Sequence, residues 1–101
     1  MPALAEKTGI KPIVIEEIRA LAQKYGLRRV ILFGSRARGD FLAKSDIDLA
    51  VSGGEKTMFA LDVDETTSTL LMFDIVDLDK EIQPKLRAAI EREGKTLYEK
   101  I

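Results

Sequence analysis

Cysteine, histidine and tryptophan are all absent from this chain of 101 residues, and each absence removes chemistry. Without cysteine there is no disulfide, thiolate nucleophile or zinc finger, and without histidine no imidazole base and no nitrogen ligand for zinc. Long apolar runs are missing too. Those present are short and interrupted by charge, nothing resembles a signal peptide or a membrane span, and a reducing cytoplasm is the expected compartment. Neither sign of charge dominates: 16 basic residues against 17 acidic ones leave a net charge of −1. That gives no overall basic field for nucleic acid, although Arg19, Arg28, Arg29, Arg36 and Arg38 fall close together in sequence; most of them read as a solvated rim. Residues 1–101 read as one domain. A chain of 11.3 kDa buries only roughly 60–65% of its extended surface, which leaves little room for a separate acceptor-binding domain. The acceptor of any reaction is then expected from a partner protein or an oligomer.

What is there begins with Leu32-Phe33-Gly34-Ser35-Arg36-Ala37-Arg38-Gly39-Asp40, followed after a short interval by Ser45-Asp46-Ile47-Asp48-Leu49-Ala50-Val51. Arg29 to Phe33 and Ile47 to Val51 are short, rich in β-branched residues and bounded by Gly, Ser or Asp, so both read as strands. Residues i and i+2 of a strand project from one face, which puts Asp46 and Asp48 side by side. Two such carboxylates repel, and a divalent cation relieves the repulsion. Oxygen-only ligands favour a hard ion such as Mg²⁺, which takes its remaining oxygens from water and substrate phosphates. Gly34 at a strand end allows close approach of backbone to phosphate, and free N–H groups of a helix starting near Ser35 can bind phosphate oxygens. The Ser35 hydroxyl adds a donor, and Arg36 and Arg38 add positive charge that a polyphosphate would neutralise.

Rival motifs fail on particular residues. Gly34 and Gly39 have the glycine spacing of an ATPase phosphate loop, but Asp40 and Phe41 stand where that motif needs Lys and Ser or Thr. A serine-hydrolase elbow lacks its flanking glycines here, and no histidine exists to activate the serine. A third carboxylate comes from Leu71-Met72-Phe73-Asp74-Ile75-Val76-Asp77-Leu78, an apolar run interrupted by acids. An ionised acid buried in a strand is costly unless paired or metal-bound, so Asp74 is expected as the third ligand and Asp77 as a strand-end acid.

Around these motifs, Lys11 to Tyr25 has the spacing of an amphipathic helix with Gly26 as its stop. Glu55 to Leu71 contains a helix whose threonines weaken it, and Ile82 to Ile90 restores helical periodicity with Pro84 in the first turn and Gly94 at the end. Thr96 to Tyr98 reads as a short last strand. The order is α/β (α+β), a small mixed β-sheet packed by helices. The connection from Phe33 to Asp46 suits an antiparallel pair, and the helical crossover from Val51 to Phe73 permits a parallel one.

Gly34-Ser35, the interval of ten residues, Asp46-x-Asp48 and Asp74 in a later strand resemble the active site of the DNA polymerase β-like nucleotidyltransferase superfamily. The wording Phe-Gly-Ser-Arg-Ala-Arg-Gly-Asp is most similar to its minimal nucleotidyltransferase branch. That resemblance implies the polymerase β-like fold, a nucleoside triphosphate donor, ATP by preference, and two Mg²⁺ ions held by Asp46, Asp48 and Asp74, with Gly34, Ser35 and Arg36 on the triphosphate. It also implies an antitoxin role beside a helical HEPN-type toxin, with AMP transferred to a tyrosine of that partner. Two alternatives stay open: a non-catalytic module that masks its partner by contact, and transfer to a small hydroxylated molecule such as an aminoglycoside.

Overall fold

Apolar residues at helical spacing bury one side of the helix Pro12–Lys24 (α2), where Val14, Ile15, Ile18 and Ala22 are buried. Pro12 occupies the first turn, where its missing N–H is no loss. The helix stops at Gly26, whose φ of +65° suits glycine, and Leu27 N–H then turns back to the Ala22 carbonyl at 2.9 Å. The computed structural model describes residues 4–100. Its further elements are α1 (Leu4–Thr8), β1 (Arg29–Phe33), α3 (Ser35–Arg38), β2 (Ile47–Ser52), α4 (Lys56–Thr66), β3 (Phe73–Asp77), α5 (Pro84–Glu93) and β4 (Lys95–Glu99).

The strands form one mixed sheet in the order β3-β2-β1-β4. As expected, β1 runs antiparallel to β2 and β3 runs parallel to β2, while β4 closes the other edge antiparallel to β1. Alternation divides the sheet into two faces. Val30, Leu32, Ile47, Leu49 and Val51 pack with α2 and with Phe59 and Val63 of α4. Phe33 and Ala50 turn the other way, toward Ile90 of α5. Full burial of a branched aliphatic side chain is worth about 1.5–3 kcal/mol, so the first face carries most of the stability. The second is the smaller cluster and holds the polar residues of interest.

One element, α1, was not expected, and the expected helix within 55–71 fills only part of its segment. The helix α1 is too short to show a period, and nothing in its sequence separates it from a tail. The helix within 55–71 ends at Thr66, because the Thr66 and Thr67 hydroxyls donate back to the Asp62 and Val63 carbonyls; such back-bonding competes with helix continuation. Residues 67–72 then run irregularly to β3, tied to α2 by Glu17, which accepts from both the N–H and the hydroxyl of Ser68 at 2.7 Å.

The loop between α3 and β2 is organised by Arg36, which is 1% exposed. Its Nε donates to the Ser45 carbonyl at 3.0 Å, Nη1 to Thr8 at 3.0 Å, and Nη2 to Ala43 at 3.2 Å and Leu42 at 3.5 Å. Its guanidinium lies 4.8 Å from the centre of the Phe41 ring. Gly9 (φ +66°) lies against that ring and the guanidinium, and a Cβ there would collide with both. A buried guanidinium is tolerated when its donors are satisfied, and removing it strands the carbonyls it served. Arg36→Met keeps the apolar stem and deletes the donors. It is expected to lower the unfolding free energy by about 3 kcal/mol in urea titrations; a loss below about 1 kcal/mol would show the loop to be held by something else.

Candidate active site

Phe33 and Asp48 are register partners across β1 and β2, and Asp48 and Asp74 are partners across β2 and β3. Partners across a sheet share a face, so Asp48 and Asp74 project together on the side of Ala50, Val76 and α5. Asp46 stands two residues before Asp48, immediately outside β2, in the same phase. The Gly34-Ser35 turn leaves β1 at this same end. Gly34 has φ +77° and ψ −159°, and a Cβ there would collide with the Asp48 carboxylate. A side chain is therefore excluded twice, by the left-handed backbone and by the acid beside it. Gly34, Ser35, Asp46, Asp48 and Asp74 are thus gathered at one corner of the sheet.

Exposure differs among the acids. Asp46 and Asp74 are exposed and Asp48 is half-buried. The expectation for Asp74 rested on burial, and that reason is corrected: β3 is an edge strand, and Asp74 faces solvent on it. Burial, followed by the charges of Asp74 and Asp46, raises the Asp48 carboxyl above the ordinary carboxylate range, with Arg38 opposing. Asp77 ends β3 as expected. Its carboxylate accepts from the Asp79 N–H at 2.9 Å and pairs with Lys56 at 3.7 Å.

Arg36 departs most from expectation. Expected on the triphosphate, it is turned inward with all three nitrogens committed to carbonyls, so it shapes the loop that delivers Asp46. The cation brought to the corner is Arg38, on the same helical turn. Its Nε lies 3.2 Å from Asp40 and its Nη1 3.0 Å from Glu93. Asp40 is two residues away in sequence, whereas Glu93 is 55 away, and no local pattern could have announced it.

Among the described residues no three acids converge closely enough to hold an ion by themselves. The all-oxygen set nevertheless fits a hard divalent ion of the kind bound through one or two carboxylates and completed by substrate phosphates. The arrangement is an open half-site.

A family model described as polymerase beta, nucleotidyltransferase, matches residues 16–101; the chain belongs to that family and is a nucleotidyltransferase. Among individual relatives, a candidate protein adenylyltransferase of Methanocaldococcus jannaschii is 32% identical over 94 residues, spanning 82% of this chain and 92% of that protein. Among solved structures, a toxin-antitoxin with AMP-PNP superimposes with a TM-score of 0.69 at 24% identity, covering 85% of this chain and 73% of that one. A tyrosine-to-alanine variant of the MntA-HpeT toxin-antitoxin gives 0.65 at 25% identity over 84% and 72%. These structures share the polymerase β-like fold.

The raised carboxyl of Asp48 has a consequence for stability. A carboxyl whose folded pKa lies above its unfolded one opposes folding wherever it is ionised, and that opposition fades as pH falls and the group protonates in both states. In metal-free buffer, Asp48→Asn is expected to raise the melting temperature at pH about 7 and to lose that advantage near pH about 4, as followed by thermal melts. An advantage that instead grew toward acid pH would reverse the sign of the shift.

Proposed function

We propose that the chain transfers AMP from ATP, with Mg²⁺, to a hydroxyl of a protein partner, a tyrosine of a HEPN-type helical toxin, and so acts as an antitoxin. The observation that carries the reading is the shared register of Asp48 and Asp74 beside Asp46, against the Gly34-Ser35 turn. In this reading Asp46 and Asp48 would hold one divalent ion, and together with Asp74 a second one. Such ions neutralise the phosphates and lower the pKa of the attacking hydroxyl. The Gly34 backbone and the Ser35 hydroxyl and N–H bind the triphosphate, and the glycine lets the phosphates come close to Asp48. Attack of the hydroxyl oxygen at the α-phosphorus, its proton passing to solvent, forms the new ester oxygen–phosphorus bond as the bond to the bridging oxygen of the β-phosphate breaks, and pyrophosphate leaves.

A protein acceptor is supported from two sides. The relatives include a candidate protein adenylyltransferase and toxin-antitoxin assemblies. Leu42, Leu70 and Met72, all exposed, lie in the segments that lead into the acids. The Met72 carbonyl accepts from Ile47 N–H at 2.9 Å, which places Met72 next to Asp46. Exposed apolar side chains leading into the acids suit a protein surface better than a small hydroxylated molecule such as an aminoglycoside. The cytoplasm, where ATP and Mg²⁺ are available, is the compartment this reading requires; among the described residues no helix is long and apolar enough to cross a membrane.

With labelled ATP, Mg²⁺ and the purified partner, label is expected on the partner and pyrophosphate in solution. Asp48→Asn is expected to reduce transfer by at least about 10²-fold. Transfer that survives this substitution overturns the catalytic reading. Neutralisation of the partner that persists without transfer assigns the effect to contact alone.

A further inference from the structure

Arg29 opens β1, with Ser52 of β2 and Glu99 of β4 as its partners across the sheet. It stands at the end of the sheet away from the acids, in phase with Ile31 and Phe33 on the α5 side. A hollow of about 350 Å³ opens there, walled by Arg28, Arg29, Ser52, Leu78, Arg87 and Lys100. Four cations thus meet from three segments of a chain whose net charge is −1. A second hollow, of about 290 Å³, lies between α5 and the sheet and shares Arg29, Leu78 and Arg87 with the first.

The polar groups of this hollow are unevenly committed. Of its two carboxylates, Asp79 is taken, accepting from Gly53 N–H at 2.8 Å and from Lys56 at 2.7 Å. Glu99 faces Arg29 across the strands but forms no ion pair among the described residues. Arg87 is oriented by one bond, from Nη2 to the Leu78 carbonyl at 3.3 Å, which leaves its other nitrogens free. The side chains of Arg28, Arg29 and Lys100 have no partner among the described residues. Ser52 is only 7% exposed, and its hydroxyl makes no hydrogen bond among them either. No described side-chain polar atom is both sealed from solvent and unpaired, so that hydroxyl opens into the hollow. A donor left free in a nearly buried position is favourable only when water or a ligand meets it.

We propose that this hollow is a second ligand site, which binds the terminal phosphate of an organic phosphomonoester. The Ser52 hydroxyl donates from the floor and the Arg29 and Arg87 guanidinium groups close on the phosphate from the sides. Guanidinium donors match phosphate oxygens in geometry as well as charge. The excess of four cations over two carboxylates suits a dianion better than the single charge of a phosphodiester. The adjoining hollow beneath α5 gives the organic part a place to lie. Two sources carry this chemistry, a free nucleotide and the phosphorylated end of an oligonucleotide. Neither needs the acid corner.

The test follows amide shifts by NMR in metal-free buffer at pH about 8, where the phosphate is dianionic and the acids repel it. The probes are inorganic phosphate, AMP, a 5′-phosphorylated RNA tetranucleotide and the same oligonucleotide without its phosphate. Shifts are expected at Arg29, Ser52, Leu78 and Arg87, with none at Gly34, Asp48 or Asp74. AMP is expected to bind more tightly than inorganic phosphate. Arg29→Gln and Arg87→Gln are each expected to weaken AMP about tenfold, and Ser52→Ala roughly two- to tenfold. Glu99→Gln, which removes a negative charge from the wall, is expected to strengthen it roughly twofold. Lys85→Gln takes a cation from α5 outside the hollow and is expected to change nothing. Equal losses in Lys85→Gln and the arginine variants, with Ser52→Ala silent, mark a diffuse basic surface and overturn the proposal. Shifts centred on the acids, or equal binding of the unphosphorylated oligonucleotide, overturn it as well. With the hollow confirmed, tighter binding of AMP assigns the site to a free nucleotide, and tighter binding of the phosphorylated oligonucleotide assigns it to a nucleic-acid end.

Discussion

Phe33 pairs with Asp48 across β1 and β2, and from that one register position the rest of the corner follows. It brings the end of β1 to the start of β2, so the turn that leaves β1 lies against the acid that β2 delivers. Register in a sheet with a buried face is strongly specified, because a slip of one residue would send Ile47, Leu49 and Val51 to the wrong side. The hydrophobic face of β2 therefore aims the acids on the opposite face. Packing energy on one side of the sheet is what holds two like charges close on the other.

The parallel pairing of β3 extends the same logic. The α4 crossover returns the chain in the direction of β2, and the partnership of Asp48 with Asp74 adds a carboxylate from a distant segment to the same face. Since β3 is an edge strand, that carboxylate stays hydrated. The half-burial of Asp48 against the exposure of its two neighbours separates one acid that the protein must restrain from two that solvent supports.

Much of this was legible because it is local. Strand boundaries, the antiparallel return, the parallel crossover, and the helices α2 and α5 follow from period, β-branched content and the placement of Pro12, Gly26, Pro84 and Gly94. The readings that changed depend on contacts between distant residues. Arg36 and Arg38 are two apart on one short helix and look alike in sequence; one meets the carbonyl of Thr8, 28 residues earlier, and the other the carboxylate of Glu93, 55 residues later. Asp74 was expected from burial and found exposed, because the apolar residues around it do not reveal that β3 lies at the edge. The short helix α1 was missed for want of length, although its last residue supplies one of the carbonyls that Arg36 needs.

Arg36 also gives a reason for the distance between the two halves of the motif. Its stem is rooted next to Ser35, and its guanidinium grips the carbonyls of Leu42, Ala43 and Ser45, the last residues before Asp46. One side chain thus spans the irregular loop from inside and acts as a ruler for it. The ten-residue spacing measures the reach of an arginine folded back on its own loop as much as the needs of the phosphate chemistry, and a longer loop would have to bulge outward or let go of that grip.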